Sequence, residues 1–284
     1  MTTTTDALRG RTLIMSGGSR GIGEAIALAA ARAGANIALI AKTTEPHPKL
    51  PGTIYTAAEA IEKAGGRALP IVGDIRDDQQ VEEAVARTVA EFGGIDIVVN
   101  NASALDLTPS EKISMKKYDL MQDINARGAF SLSAKSIPHL RRSSHAHILT
   151  LSPPITVDPE WFVKVPTAYS ISKFSMSLVT AGLSAELAAD GIAANSLWPR
   201  TTIATAAVSN VLGEQLVSRS RTVDIMADAA LSILSKPAAA ATGRFFIDEE
   251  VLAADGVTDL SRYQVDPSVA MHDLELDFWM EWPA

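Results

Sequence analysis

The chain has 284 residues, 47% of them hydrophobic, which is enough to fill the core of one large α/β domain or two small ones. Its 33 acidic and 25 basic side chains give a formal charge of −8, so nucleic-acid phosphates and anionic membranes are repelled on average. There are no cysteines, which excludes disulfides, thiolate nucleophiles and Cys-ligated zinc.

The first residues, MTTTTDALRGR, are polar where a secretory signal places its apolar core. No segment reaches the roughly 18 uninterrupted apolar residues of a membrane helix. The expectation is a soluble cytoplasmic protein with no nucleic-acid, membrane or metal partner.

In chain order, short apolar runs alternate with longer amphipathic ones: TLIMSG then EAIALAAARAG, NIALIA then TAAEAIEKAG, ALPIVGD then QQVEEAVARTVAEFG. IDIVVNNA, HILTLS, IAANSLWP and GRFFID continue the rhythm, with two long helical stretches around 117–142 and 168–190. Apolar strands joined by crossover helices predict an α/β fold, a doubly wound parallel sheet of Rossmann type with helices on both faces. Gly34, Gly65, Gly66, Gly93 and Gly191 follow helical runs, where a left-handed residue commonly ends the helix. With no fixed-period repeat and no long linker, the reading is a single domain over 1–284, its core about 9–250 and a tail at 255–284.

Two segments break the rhythm. KTTEPHPKLPGTIYT puts three prolines and a glycine after the second strand, where a connection of about 2–6 residues is usual. It is expected to be an ordered functional loop or a flexible one. SPPITVDPEWFVKVPT carries the adjacent aromatics Trp161 and Phe162 just before the second long helix, where it is placed to cover a site.

The stretch SGGSRGIG has glycines at 17, 21 and 23, which match neither the commonest dinucleotide fingerprint nor the phosphate-loop signature. Its context is more informative. An apolar strand ends near Met15, glycines allow close backbone approach, and a helix starts near Gly21 with its positive dipole end facing the loop. That arrangement suits an anionic pyrophosphate, and a plain strand-to-helix turn is the alternative.

SGGSRGIG, NNAS at 100–103, the serine of LTLS and YSISK at 169–173 together resemble the classical short-chain dehydrogenase/reductases. A closer resemblance is to the hydroxysteroid-dehydrogenase-like subgroup, carried by AKTTEPHPKLPGTIYTAAEAIE, GGIDIVVNNASA, HILTLSPP, LWPRTTIATAA and VDIMADAA. Eukaryotic members of that subgroup append a sterol-carrier domain. The present chain is expected to lack one, and with it any lipid-carrier function.

Tyr169 and Lys173 stand four apart in a helical pattern and so share one face. An ammonium beside a phenol favours the phenolate and brings it toward working range. The resemblance implies that Tyr169 gives or takes the carbonyl or alcohol proton and that Lys173 also holds the nicotinamide ribose. It implies that Ser152 hydrogen-bonds the substrate oxygen and that Asn125 helps hold a proton-relay water. Read alone, Ser152 is a strand-end cap and Asn125 an internal helix hydrogen bond.

The cofactor contacts implied are Gly17, Ser19, Arg20, Gly21, Ile22 and Gly23 in the loop, then Asp74, Ile75, Asn101 and Ala102 at strand ends. Tyr169, Lys173, Pro199 and Thr202, with Ile203 an approximate choice, would lie toward the nicotinamide. Asp74 has a second reading as a helix N-cap. An acid at the end of the second strand would pair with the ribose hydroxyls of NAD, but Ala41 and Lys42 stand there. Lys42, with Arg20, suits the 2′-phosphate, so NADP(H) is the reading and NAD(H) the alternative.

Two departures from the family pattern stand out. Ser152 precedes Tyr169 by more residues than is usual, and the usual Pro-Gly after the sixth strand is Pro199-Arg200. The expected function is hydride transfer between NADP(H) and an apolar carbonyl or alcohol substrate. The alternatives are an NAD(H)-dependent dehydrogenase, an enoyl reductase, or a catalytically silent nucleotide-binding interaction protein. Assembly as a homodimer or homotetramer through the two long helices is part of the same resemblance.

Overall fold

The computed structural model describes residues 6–46 and 52–283, without the side chains of 211 and 212. Seven strands form one sheet: β1 Thr12–Ser16, β2 Asn36–Ala41, β3 Arg67–Val72, β4 Ile97–Asn100, β5 His147–Thr150, β6 Ala193–Trp198 and β7 Phe245–Ile247. Their order is β3-β2-β1-β4-β5-β6-β7, and every pairing is parallel. All seven apolar runs of the sequence are strands. They read as continuous apolar segments because helices cover both faces.

The helices are α1 Gly21–Arg32, α2 Ile54–Lys63, α3 Asp78–Phe92, α4 Met115–Met121, α5 Gly128–Leu140, α6 Pro159–Lys164, α7 Thr167–Glu186, α8 Ala206–Leu212, α9 Asp224–Ser235 and α10 Asp248–Ala254. Successive strand residues point to opposite layers. Leu13 and Met15 pack with Ile26 of α1 and with Ile225 and Met226 of α9. Ile14 packs with Val81 of α3, Leu132 of α5 and Leu183 of α7. None of the described helices is long and apolar enough to cross a membrane.

The two long helical stretches differ from the sequence reading in detail. The first is α4 and α5 joined through a π-helical segment, Gln122–Arg127, that contains Asn125. Gly34, Gly65, Gly93 and Gly191 have the expected positive φ, but Gly66 does not. It is instead kept small by packing, since a Cβ there would come 2.7 Å from that of Ala31. The N-cap of α3 is Asp77, whose carboxylate accepts from Gln79 N and Gln80 N, which removes the capping reading of Asp74. Residues 47–51 of the proline-rich connection lie outside the described residues. The second irregular segment contains α6, whose N-cap Asp158 accepts from Glu160 N.

Because the chain leaves β1 toward β2 and later crosses to β4, the carboxyl ends of β1 and β4 flank a topological switch point. In open α/β sheets ligands bind at that crevice. The register sets Ser16 beside both Ile40 and Asn100, so the glycine loop and NNAS meet there.

Candidate active site

A groove of about 730 Å³ opens at the switch point. Its lining includes Gly17, Ser19, Arg20, Gly21, Ile22, Gly23, Lys42, Asp74, Ile75, Asn101 and Ala102. Every residue singled out for the nucleotide's loop and strand-end contacts is therefore in one wall or another.

The glycine loop is shaped by contact with the residues that follow β4. Asn101 Nδ2 donates to the Gly17 carbonyl at 2.7 Å, and Ala102 N donates to Ser16 Oγ at 3.2 Å. A Cβ on Gly17 would stand 2.8 Å from the Ala102 Cα, and one on Gly23 would stand 2.6 Å from the Gly17 carbonyl oxygen. Gly17 also has φ +74°, a conformation costly for side-chain-bearing residues. The N-terminus of the 12-residue α1 has no side-chain cap, which leaves its first N–H groups directed at the groove. A close-packed glycine turn below an uncapped helix end fits a pyrophosphate.

At the groove's β2–β3 rim, Lys42 Nζ lies 3.1 Å from Asp74 Oδ2. Asp74 also accepts from Arg76 through Nε at 3.0 Å and Nη2 at 2.6 Å. The Arg76 hydrogen bonds, followed by Lys42, hold the Asp74 carboxyl well below the ordinary carboxylate range. Arg20 Nη2 donates to Gly52 O at 3.2 Å. Glu24, also in the lining, has its pKa raised by burial, and the positive charge of Arg20 opposes that shift.

Tyr169, Lys173 and Ser152 do not line this groove. Lys173 Nζ donates to the Leu151 carbonyl at 2.6 Å and lies 4.9 Å from the Trp198 ring centroid. Burial brings its pKa down to about 7, with the Asp277 carboxylate opposing. Tyr169 is 5% exposed, and burial, then Asp277, push its phenol well above the usual value. That is opposite to the lowering expected from an adjacent ammonium. The physical cause is an aromatic cover: the Trp279 ring stacks on Tyr169 with centroids 5.9 Å apart and planes 23° apart.

Ser152 is fully buried and its Oγ lies 2.9 Å from Ser196 Oγ. Asn125 is also fully buried. Its Nδ2 donates to Ala104 O at 3.0 Å and Ser172 Oγ at 2.9 Å, while its Oδ1 accepts from Ala104 N at 2.7 Å. That side chain ties the loop after β4 to α7. Trp161 and Phe162 of the covering segment are partly buried against the same apolar cluster, with Phe162 6.3 Å from Phe174.

Pro199 and Thr202 lie outside the groove lining. Thr202 Oγ1 is 2.7 Å from Ser220 Oγ, and its backbone N donates to Glu275 O at 2.9 Å. Ile203 is buried in the core. The chain beyond β6 reaches the groove later, through Ala204, Thr205, Ala206 and Ala207. Sequence reasoning missed these residues and Gly52. The N-cap pattern of Thr205, whose side chain accepts from Val208 N, is the local signal that marks the turn. Among the described residues no three His, Asp or Glu side chains gather as a metal site.

Residues 11–215 match the short chain dehydrogenase family. Hydroxysteroid dehydrogenase-like protein 2 is 53% identical in Xenopus tropicalis and 48% in Homo sapiens, each over 277 residues and 98% of this chain. The chain spans 65% of the length of those two relatives. A short chain dehydrogenase structure from Mycobacterium thermoresistibile has a TM-score of 0.90 and 53% identity, covering 96% of both chains. Carveol dehydrogenase from Mycobacterium avium, solved in complex with NAD, shares the fold at TM-score 0.74 and 22% identity, covering 86% of this chain and 97% of its own. The chain belongs to the short-chain dehydrogenase family.

Proposed function

We propose that this protein is an NADP(H)-dependent oxidoreductase acting on a carbonyl group or the corresponding alcohol of an apolar substrate. The observation that carries the reading is a switch-point groove, lined by the glycine loop, that meets Lys42 and no acid at the end of β2. The residues from Gly17 to Gly23 would hold the pyrophosphate and Asp74 and Ile75 would flank the adenine. Asn101 and Ala102 would face the adenosine ribose, and Lys42 with Arg20 would take the 2′-phosphate.

When bound, the nicotinamide supplies or accepts the hydride. Tyr169 Oη donates a proton to the substrate oxygen in reduction and removes it in oxidation. Ser152 Oγ exchanges Ser196 for that oxygen and polarises the carbon–oxygen bond. Lys173, titrating near neutrality, favours the Tyr169 phenolate once the phenol is uncovered and passes protons toward it. Asn125 holds the backbone at Ala104 and fixes α7 through Ser172, which keeps Tyr169 and Lys173 in register.

NAD(H) is the second reading, favoured by one contact: Asp74 at 3.1 Å offsets part of the Lys42 charge. The exposed apolar residues Phe130 on α5 and Ile171 and Leu178 on α7 support assembly of two or four copies through those helices. Oxidation of NADPH and NADH, followed in parallel with ketones, aldehydes and acyl derivatives, tests the reading. Turnover of a ketone or aldehyde with NADPH preferred is the expected result; no turnover with any of them overturns it.

A further inference from the structure

The C-terminal segment returns to the active site along the chain that follows β6. Leu276 bridges Thr201, and Asp277 N donates to Arg200 O at 3.0 Å. Trp198 Nε1 donates to Phe278 O at 3.0 Å, and Arg200 Nη1 donates to Glu281 O at 2.8 Å. Arg200 is itself set by Glu249, 3.0 Å from its Nε, and by Glu250. The arginine that replaces the family's glycine is thus the anchor of a strap, and the strap ends on the catalytic tyrosine.

The strap meets Tyr169 through two rings, Phe278 edge-on at 6.1 Å between centroids and Trp279 stacked on its face, and Trp279 sits in a strained turn. Met280 N donates to Asp277 O at 3.2 Å, closing a four-residue turn whose third residue is Trp279 at φ +63°. Glycine or asparagine normally takes that position, and a bulky residue there is strained. The Trp279 indole is 5% exposed, yet its Nε1–H has no partner among the described residues. The indole lies flat on Tyr169 and packs against Phe174 at 5.1 Å and Trp198 at 5.8 Å between centroids. Lifting the 277–280 turn off Tyr169 frees Trp279 from its positive φ and withdraws the ring.

We propose that Trp279 is the specificity-determining residue of the substrate site: its indole fills the slot on Tyr169 that a flat apolar ring of the substrate takes when the turn lifts. This deepens the oxidoreductase reading, on which it rests for the identity of Tyr169 as the proton-transfer group. The substrate class is a ring-bearing ketone or secondary alcohol, because the slot is bounded by aromatic faces and was shaped to a bicyclic ring. Open-chain substrates gain little from those faces.

Trp279→Gly tests this directly, since glycine keeps the turn and empties the slot. The probes are α-tetralone, a flat bicyclic ketone, and 2-hexanone, an open-chain one, each titrated calorimetrically against wild type and variant saturated with NADPH. The variant is expected to bind α-tetralone at least about tenfold more tightly than wild type, with 2-hexanone changed less than about threefold. Equal changes for both probes, or no change for α-tetralone, overturn the proposal. In the wild type, saturating α-tetralone is expected to raise hydrogen exchange at 276–280 without altering the strands; unchanged exchange there also overturns it. Both readouts are binding measurements, so failure of NADPH oxidation with every carbonyl would refute the oxidoreductase reading and leave the slot to be judged separately.

Discussion

The Lys173 ammonium donates to the Leu151 carbonyl at 2.6 Å, one residue before Ser152 and one helical turn from Tyr169. Burial lowers its pKa to about 7, so the charged form is lost as pH rises through neutrality. In reduction, kcat/KM is expected to fall above about pH 7, as the positive charge supporting proton transfer disappears. Lys173→Arg, which stays charged, is expected to extend the plateau upward even if its absolute rate is lower. A variant profile that bends at the same pH as wild type counts against Lys173. Tyr169→Phe should cost about 10²–10⁴ in kcat with NADPH affinity within about twofold, because it removes only the proton donor.

Lys42 and Asp74 make the same kind of test for the cofactor. Lys42 is half-exposed at the groove rim and its ion pair with Asp74 is partly solvated, so its removal has little effect on folding. Lys42→Ala is expected to weaken NADPH binding about tenfold and to leave NADH unchanged, consistent with loss of one charge-assisted phosphate contact. Fluorescence titration of the two dinucleotides checks it. Equal weakening of both would remove Lys42 from phosphate recognition.

Gly23 is confined by Asn101 and by the Gly17 carbonyl, so a methyl group there cannot be absorbed by a flexible side chain alone. Gly23→Ala is expected to spread the loop away from β4, lower thermal stability by roughly 1–3 kcal/mol, and weaken both dinucleotides together. Gly65→Ala is a useful contrast: a Cβ there meets nothing within 4 Å, and only its φ of +97° resists the change. It should cost stability without touching dinucleotide affinity. Thermal melts with and without NADPH separate the two outcomes.

His147 makes a contribution to stability that falls toward acid pH. It is buried at the start of β5, its Nε2 lies 3.1 Å from Lys236 O, and burial lowers its pKa from 6.5 to about 4. Between those values the unfolded chain binds the proton and the folded chain does not. Stability is therefore fully present above about pH 6.5 and declines as pH falls toward 4, by up to about 3 kcal/mol at ~1.4 kcal/mol per pKa unit. Asp248 and Asp277 oppose this trend, since burial raises them to about 6 and about 7 and the folded state then binds the extra protons. In urea melts taken from pH 7 to 4, His147→Gln should gain stability relative to wild type as the pH falls. Parallel curves for variant and wild type would show that His147 makes no such contribution.

Linear order alone determined the seven strands, the crossover helices and the parallel class, because strand burial on both faces writes itself as unbroken apolar runs. It also determined the groove's loop and strand-end residues, since each lies within a few positions of a strand's carboxyl end and the sheet gathers those ends at one edge. Neither Asp74's true partners nor the position of Thr202 could be read this way. Arg76 and Lys42 reach Asp74 only by side-chain geometry, and Thr202 turns toward Ser220 because the returning chain pairs with its backbone. The covered state of Tyr169 is the clearest case. Trp279 lies more than a hundred residues away, and its burial reverses the pKa direction that Lys173 alone predicts. Desolvation depends on everything packed around a group, so the tertiary structure decided it.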